Sequence, residues 1–179
     1  MIAVGDKVVY RHHVCEVAAL RPEYYEGKDY LELHALFENR LKLFISVDEA
    51  KPPILRPVMT KDEALALIDS MKDVDITEDE EQIDQNETTT LIDRQIKELY
   101  EKHLKTLKPE ELLPIMKYAR FRSQMRNSQG RNPTVMDKKY LKLAENLLCD
   151  ELSVSLDIAR DEVMDFFINR VRRLEGSVR

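Results

Sequence analysis

The heptapeptide YLELHAL, which occupies residues 30–36, alternates between two kinds of surface. One face would carry Tyr30, Glu32, His34 and Leu36, and the other Leu31, Leu33, Ala35 and Phe37. Because successive side chains of a β-strand point to opposite sides of a sheet, this spacing predicts a strand. Three further short runs rich in β-forming residues lie at 7–10, 14–17 and 41–45. Together they predict a small, curled antiparallel sheet or barrel over residues 1–58, which ends at prolines because proline cannot donate to a central ladder.

Beyond this module the apolar residues recur at steps of three and four, which is typical of helices. The predicted helices begin near Thr60, Thr90, Pro109, Thr134 and Asp161. Thr60 and Glu63 have the spacing of a capping box, and Thr134 and Asp137 have the same spacing with Asp in place of Glu. Pro114 is expected to kink or restart the third helix. The acidic stretch 73–90 is interpreted as a solvated linker or loop. An all-α helical bundle over residues 59–179 thus follows the barrel, and the predicted fold class is α+β.

The net charge of −6 hides a strong asymmetry along the chain. Residues 58–93 contain 2 basic and 12 acidic residues, whereas residues 94–142 contain 13 basic and 5 acidic ones. Attraction to phosphates depends on the local patch, so an acidic chain with a basic block can still bind nucleic acid. The tract from Lys117 to Arg131 has five basic residues and no acidic residue.

No apolar run approaches the roughly 18 to 20 residues that a bilayer span requires, and the amino terminus lacks the pattern of a secretory leader. We therefore expect a cytoplasmic, monomeric protein without membrane contact. In that compartment Cys15 and Cys149 are expected to be reduced thiols rather than a disulfide.

The chemistry-bearing residues of the chain predict neither a metal site, nor a cofactor, nor catalysis. His12, His13 and Cys15 are close together, but neighbours in an extended chain point to opposite faces and a zinc site needs three or four convergent ligands. A strand pair with a tight turn, or a contact to a partner protein, explains them as well. No phosphate loop or nucleophile elbow is present in the sequence. Glu151, on an apolar helix face, is expected to be a buried structural acid paired with a basic group.

Several motifs, in order along the chain, resemble those of the CarD-like regulators of bacterial transcription. They are the opening run Gly5 to Tyr10, the stretch Leu41 to Ala50, the crossover Arg56 to Val58, and the helix carrying Asp137, Lys138, Tyr140, Leu141, Ala144, Leu148 and Leu152. The amino-terminal module of that family is a Tudor-like barrel shared with transcription-repair coupling factors. The resemblance implies a barrel that binds the RNA polymerase β subunit and a helical domain that binds upstream promoter DNA without sequence specificity. Such proteins are not enzymes, and they alter the stability of the open promoter complex.

The chain departs from the family pattern at three places. The turn from Tyr10 to Cys15 lacks the proline and glycines that relatives carry, and Phe44 stands where many have a basic residue. Many relatives also insert a tryptophan into the DNA minor groove at a position that aligns near Ile92, and this chain has no tryptophan. Leu91 or Ile92 could act as an aliphatic wedge instead, although packing of Ile92 inside the bundle is the favoured interpretation.

The candidate polymerase-binding residues are Arg40, Lys42 and Phe44, on or beside a strand whose free edge could accept a strand of another protein. Phe44 could instead be a core residue. The candidate DNA-binding residues are Ile92, Lys117, Arg120, Arg122, Arg126, Arg131, Lys138, Lys139 and Lys142. The cations would act on phosphates, and the alternative is a solvated helix face. This hypothesis requires that the arginines are not held in internal ion pairs.

The function predicted from these observations is that of a transcription regulator acting on RNA polymerase and promoter DNA. The alternative is an adaptor that binds polymerase, or another protein, without DNA contact. The missing tryptophan and the acidic stretch 73–90 are compatible with that alternative.

Overall fold

The structure is a computed structural model that describes residues 2–176, in which five β-strands are followed by six α-helices. The strands are β1 (Lys7–Tyr10), β2 (His13–Tyr25), β3 (Lys28–Ala35), β4 (Lys42–Ser46) and β5 (Leu55–Pro57). The helices are α1 (Lys61–Ser70), α2 (Thr77–Glu81), α3 (Thr89–Lys105), α4 (Leu112–Ser128), α5 (Val135–Leu156) and α6 (Val163–Gly176). The fold class is therefore α+β, as the change of hydrophobic period predicts.

The five strands form one antiparallel sheet in the order β4-β3-β2-β1-β5. Of the two predicted forms, the structure has the sheet and not the closed barrel, because the sheet is open. Closure would require a ladder between the edge strands β4 and β5, and the sheet formed within residues 2–176 has none. The short strand β5 was not predicted. It ends at Pro57. Proline has no backbone N–H to donate, and an edge strand tolerates it because such a strand is hydrogen-bonded to a neighbour on one side only.

Strand β2 is much longer than its predicted core of residues 14–17. It continues to Tyr25 and pairs with β3 through two register shifts, one between Val17 and Ala19 and one between Arg21 and Tyr25. The outer part of this hairpin is exposed on both faces, so its residues do not alternate between apolar and polar. Hydrophobic periodicity detects a strand only where one face is buried, so it did not predict the extension of β2 to Tyr25.

The chain divides into two compact units, of which the first comprises the residues up to Ala64 together with Asp150–Arg160. Its buried core consists of Val8, Cys15, Val17, Leu31, Leu33, Ile45 and Leu55. Leu31 and Leu33 thus lie on the buried face that the alternation of β3 predicts. Glu32 is also buried, at 4% exposure, although it belongs to the opposite face.

Glu151 is the buried structural acid that the sequence predicts, and its partner is Arg56 in the same unit. The two Arg56 terminal nitrogens donate to the two carboxylate oxygens at 2.5 and 2.7 Å. The backbone N–H of Met59 donates to Glu151 Oε1 at 3.1 Å. A bidentate pair with an additional backbone donor satisfies the charge that burial would otherwise penalise.

The second unit comprises Leu65–Cys149 and the residues from Asp161 onward. Its largest fully buried side chains are Ile68, Tyr100, Ile96, Leu113, Ile115, Met116, Leu148 and Phe167. A 3-10 turn, Pro109–Glu111, precedes α4, so Pro114 falls in the first turn of that helix. First-turn N–H groups have no intrahelical acceptor, and the helix accommodates this proline by beginning at Leu112.

Both predicted helix caps are formed. Ahead of α1, the backbone N–H of Thr60 donates to Glu63 Oε2 at 2.8 Å and the N–H of Glu63 donates back to Thr60 Oγ1 at 3.3 Å. At α5, the backbone N–H of Asp137 donates to Thr134 Oγ1 at 2.9 Å. The Thr134 hydroxyl in turn donates to Asp137 Oδ2 at 2.7 Å.

The acidic stretch 73–90 is more than a solvated linker, since it contains α2 and buries both Asp79 and Ile83. His103 of α3 lies between two carboxylates in this region. Its Nε2 is 3.2 Å from Asp79 Oδ1 and its Nδ1 is 2.6 Å from Glu111 Oε2. The contact between Asp79 and His103 joins the acidic stretch to α3, whereas the charge pattern alone predicts only solvation.

Candidate functional site

Strand β4 is an edge of the sheet and pairs only with β3 among the described strands. Ile45 faces the core, whereas Lys42 and Phe44 belong to the opposite face and are exposed. Phe44 is 36% exposed, so it is a surface residue and not a core residue. Beside β4, Arg40 lies in the exposed turn with a positive φ of 63°. An edge of this kind leaves backbone N–H and C=O groups available to a strand of another protein.

Four aromatic rings lie beside this edge and form what we call the aromatic cluster, which consists of the exposed Tyr24, Tyr25 and Phe44 and the half-buried Tyr30. The rings of Tyr24 and Phe44 stack with centroids 5.0 Å apart and an interplanar angle of 5°. Tyr30 lies 5.8 Å from Tyr24 and 6.5 Å from Tyr25 between ring centroids. Tyr24 is 54% exposed. Exposed aromatic surface of this kind is typical of protein-binding surfaces.

Three cationic or potentially cationic side chains surround Glu32 on the same face of the sheet. Arg21 donates to Glu32 Oε2 through Nη2 at 2.6 Å, and Lys42 donates to Oε1 at 3.2 Å. His34 Nε2 lies 2.8 Å from Oε1. Hydrogen bonds from His34, Arg21 and Lys42 hold the pKa of Glu32 at about 2, well below its usual range. Glu32 therefore stays ionised at neutral pH.

Of the cluster formed by His12, His13 and Cys15, the last two residues lie in strand β2 and His12 lies in the turn before it. His13 Nδ1 lies 2.7 Å from Glu38 Oε1, and Cys15 is fully buried with its thiol directed at the carbonyl of His13, 3.5 Å away. Burial, and then the charge of Glu38, raises the pKa of the Cys15 thiol to about 12. Across residues 2–176, no group of three or more His, Cys, Asp or Glu side chains is placed to hold a metal ion.

In the second unit, Arg122 and Asp137 form the centre of a buried network. Arg122 Nε donates to both carboxylate oxygens of Asp137, at 3.1 and 3.2 Å. The hydroxyl of Tyr100 donates to Asp137 Oδ1 at 2.8 Å. Burial, and then the charge of Asp137, raises the pKa of Tyr100 above its ordinary value, which keeps that hydroxyl protonated and donating. Asp137 is 0% exposed and the Arg122 side chain 15%, so this arginine is part of the internal packing of the unit.

Three other predicted DNA-binding residues of α4 also have internal partners. Arg120 Nη2 donates to Glu145 Oε1 at 2.8 Å. Lys117 donates to the backbone carbonyl of Val74. Arg126 Nε donates to the carbonyl of Asn132 at 2.7 Å. The Arg126 guanidinium has no carboxylate partner among the described residues. Arg120 and Arg122 therefore do not meet the requirement that the DNA-binding cations be free of internal ion pairs.

The remaining predicted cations are on the surface. They are Arg131, in the loop before α5, and Lys138, Lys139 and Lys142, in the first two turns of α5. Lys138 and Lys142 are one turn apart on α5 and share one face of it. The ammonium of Lys139 lies 5.7 Å from the ring centroid of Tyr140. These four residues can approach a phosphate backbone without breaking an ion pair of the described chain.

Ile92 is half-buried in the first turn of α3 and lines an open groove of about 520 Å³ in the second unit, which we call the α3–α4 groove. Its lining includes Glu80, Ile92, Asp93, Tyr118, Phe121, Arg122, Met125, Arg126 and Arg131. Phe121 and Met125 are 38% and 47% exposed. Neither residue was predicted to belong to a site, although an aromatic residue and a methionine four positions apart, interleaved with Arg122 and Arg126, were a readable signal.

None of the helices in the described part of the chain is both long and apolar enough to cross a lipid bilayer. Comparison of the sequence with models of known protein families finds no match, and comparison with curated protein sequences also finds none. The resemblance to CarD-like regulators therefore depends on the sequence motifs alone.

Proposed function

We propose that this protein is a CarD-like bacterial transcription regulator. In this proposal the edge strand β4 binds the RNA polymerase β subunit, and exposed cations of the second unit bind upstream promoter DNA. The protein would bind polymerase with unwound promoter better than polymerase with closed promoter. A difference in affinity of this kind shifts the equilibrium toward the open complex, whereas equal affinities would shift nothing.

The single observation that supports the proposal best is the uncovered edge of β4, with Phe44 and Lys42 exposed beside it. Addition of a strand from the polymerase would satisfy the backbone groups of this edge. The stacked rings of Phe44 and Tyr24 offer apolar area at low entropic cost. We also propose that the amino-terminal module is related to Tudor-like modules. The structure itself has an open five-stranded antiparallel sheet there.

The polymerase interface can be tested with a matched pair of aromatic substitutions in the full-length chain. Phe44→Asp is expected to abolish capture of the isolated polymerase β lobe, since it places a charge in the centre of the docking surface. Phe166→Asp is the control, because Phe166 has a similar exposure of 37% and lies on α6. Equal capture by both variants would refute the assignment of β4.

The DNA contact is proposed through Arg126, Arg131, Lys138, Lys139 and Lys142. Replacement of the three α5 lysines by glutamine is expected to weaken duplex binding and to reduce the slope of log affinity against log salt by about 0.9 for each phosphate that is no longer neutralised. The control neutralises three exposed cations of α3, Arg94, Lys97 and Lys102. The same variants would be compared in an open-complex lifetime assay. If the α5 variant, the wild type and a reaction without the protein all give one lifetime, the proposed mechanism is wrong.

A second candidate function is an adaptor that binds polymerase, or another protein, without touching DNA. The ion pairs of Arg120 with Glu145 and of Arg122 with Asp137 favour this candidate, because they remove two arginines from the supposed DNA surface. The adaptor predicts unchanged capture of the β lobe together with no salt-dependent binding of duplex DNA.

A further inference from the structure

We propose that the α3–α4 groove binds an unpaired base of a single-stranded nucleic acid. This inference deepens the DNA-binding part of the proposed function and rests on it. The groove belongs wholly to the second unit, and its volume of about 520 Å³ is within the range of small-ligand sites.

The apolar side of the groove offers a stacking surface. Phe121 and Met125 are one helical turn apart on α4, and both are exposed although both are strongly apolar. Ile92 contributes apolar area from α3. Proteins that bind single strands use exposed aromatic side chains in this way, because every base has a π-face that can stack. A base pair inside a duplex does not present that face.

The cationic side of the groove can hold the phosphates next to the stacked base. Arg126 and Arg131 line it, and neither pairs with a carboxylate of the described chain. The bond from Arg126 Nε to the Asn132 carbonyl fixes the direction of its guanidinium. Arg122 is held in place by Asp137 and lies against Tyr118, with its guanidinium carbon 5.8 Å from the ring centroid. The guanidinium groups of Arg122 and Arg126 are therefore held in position before a ligand binds.

Two carboxylates, Glu80 and Asp93, line the same groove and decide which nucleic acid fits. Near a continuous duplex backbone they would repel phosphates. Near an unpaired base they can accept hydrogen bonds from exocyclic amino groups, as acidic side chains do with cytosine. One nucleotide carries a phosphate, a flat base and, in several bases, an amino group. The cations of the groove are complementary to the phosphate, the aromatic ring to the face of the base, and the carboxylates to the amino group. An acidic peptide would meet repulsion at the two carboxylates and is less well matched.

The test measures binding of the full-length chain to a labelled cytosine-rich single strand, to the duplex of the same sequence, and to free cytidine monophosphate. Phe121→Ala and Arg131→Gln are expected to weaken single-strand binding about tenfold each. Duplex binding by Phe121→Ala is expected to change less than about twofold, because a paired base cannot stack on the ring. Phe166→Ala and Arg172→Gln on α6 are the matched controls, since both of those side chains are exposed and neither lines the groove.

A second measurement is made on the wild-type protein and needs only one conservative variant, Met125→Leu, to assign a signal. The methyl group of Met125 carries a ¹³C label and is assigned by its absence in Met125→Leu. Addition of the single strand is expected to shift this methyl signal upfield, because a stacked base places its ring current over the methionine. An unmoved signal at saturating strand would overturn the inference.

Other outcomes also decide the matter. Equal losses in Phe121→Ala and Phe166→Ala would overturn the groove as the site, and free cytidine monophosphate binding as tightly as the strand would overturn the strand as the ligand. If Phe121→Ala weakens capture of the polymerase lobe and leaves the strand unaffected, the groove belongs to a protein partner and the inference is wrong. Strand binding that depends on Phe121 without any effect of the α5 lysines on duplex binding would sustain the inference while contradicting the proposed function.

Discussion

The substitution Asp137→Asn tests whether Arg122 is a structural residue of the second unit. The amide keeps the size of the carboxylate but removes its charge. Its NH₂ group is a hydrogen-bond donor and would face side chains that are themselves donors. Arg122 Nε at 3.1 Å, the Tyr100 hydroxyl at 2.8 Å and the Thr134 hydroxyl at 2.7 Å all need an acceptor at this position. The guanidinium of Arg122 would remain largely buried without a counterion.

Removing one partner of a buried ion pair costs about 3 to 5 kcal/mol of the free energy of unfolding. Small domains have about 5 to 15 kcal/mol in total, so Asp137→Asn is expected to remove about a fifth or more of the stability. With a urea dependence of about 2 kcal/mol per molar, the unfolding midpoint should fall by about 2 M at unchanged slope. Equilibrium unfolding in urea, followed by circular dichroism, measures this shift.

Two further variants complete the test. Arg122→Met combined with Asp137→Asn leaves no unpaired charge, and the double variant is expected to be more stable than Asp137→Asn alone. Glu145→Gln breaks the more exposed pair with Arg120 and should cost less than about 1 kcal/mol. If Asp137→Asn loses less than Glu145→Gln, the reasoning is refuted. If the expected order holds, loss of DNA binding in an Arg122 variant is no evidence of a DNA contact, whereas loss in an Arg131 variant is.

Three other expectations follow from the first unit. Hydrogen bonds lower the pKa of Glu32 from 4.5 to about 2, so the contribution of this carboxylate to stability is present above pH 4.5 and is lost as the pH falls toward 2. Glu32→Gln should flatten the stability profile between these two pH values, and an unchanged profile would contradict this expectation. The buried Cys15 thiol, with its pKa raised to about 12, should react with a thiol reagent only after the protein unfolds, and rapid labelling of the native protein would count against its burial. Arg56→Ala should cost about 3 kcal/mol of unfolding free energy by leaving Glu151 buried without its partner, and a urea midpoint equal to that of wild type would show that the pair contributes nothing.

Local chemistry made much of the fold predictable. The alternation in residues 30–36 and the helical periodicity after residue 58 report one-sided burial, which each segment carries in its own sequence. The two caps, at Thr60 and Thr134, are also local, since donor and acceptor lie three residues apart. The pairing of Glu151 with a basic group was foreseeable because an acid on an apolar helix face must be compensated, but its partner lies 95 positions away and could not be identified.

The surfaces were less predictable, because exposure and pairing depend on residues that are distant in the chain. Phe44 could have been core or surface until the register of β4 against β3 was known. Its stacking partner Tyr24 lies in a hairpin extension that has no alternating pattern. The α3–α4 groove brings the start of α3 next to the end of α4, and nothing in either segment alone indicates a cavity.

The sequence by itself determined the α+β class, four of the five strands and five of the six helices in chain order, the helix caps and the asymmetry of charge, because each of these depends on neighbouring residues or on composition. Only the tertiary structure decided that the sheet is open, that Phe44 is exposed and that two arginines of the basic tract are internal. Asp137 is 15 positions from Arg122 and Glu145 is 25 from Arg120. A tract without acidic residues can therefore still be neutralised, because charges are screened by what lies next to them in space and not by what lies next to them along the chain.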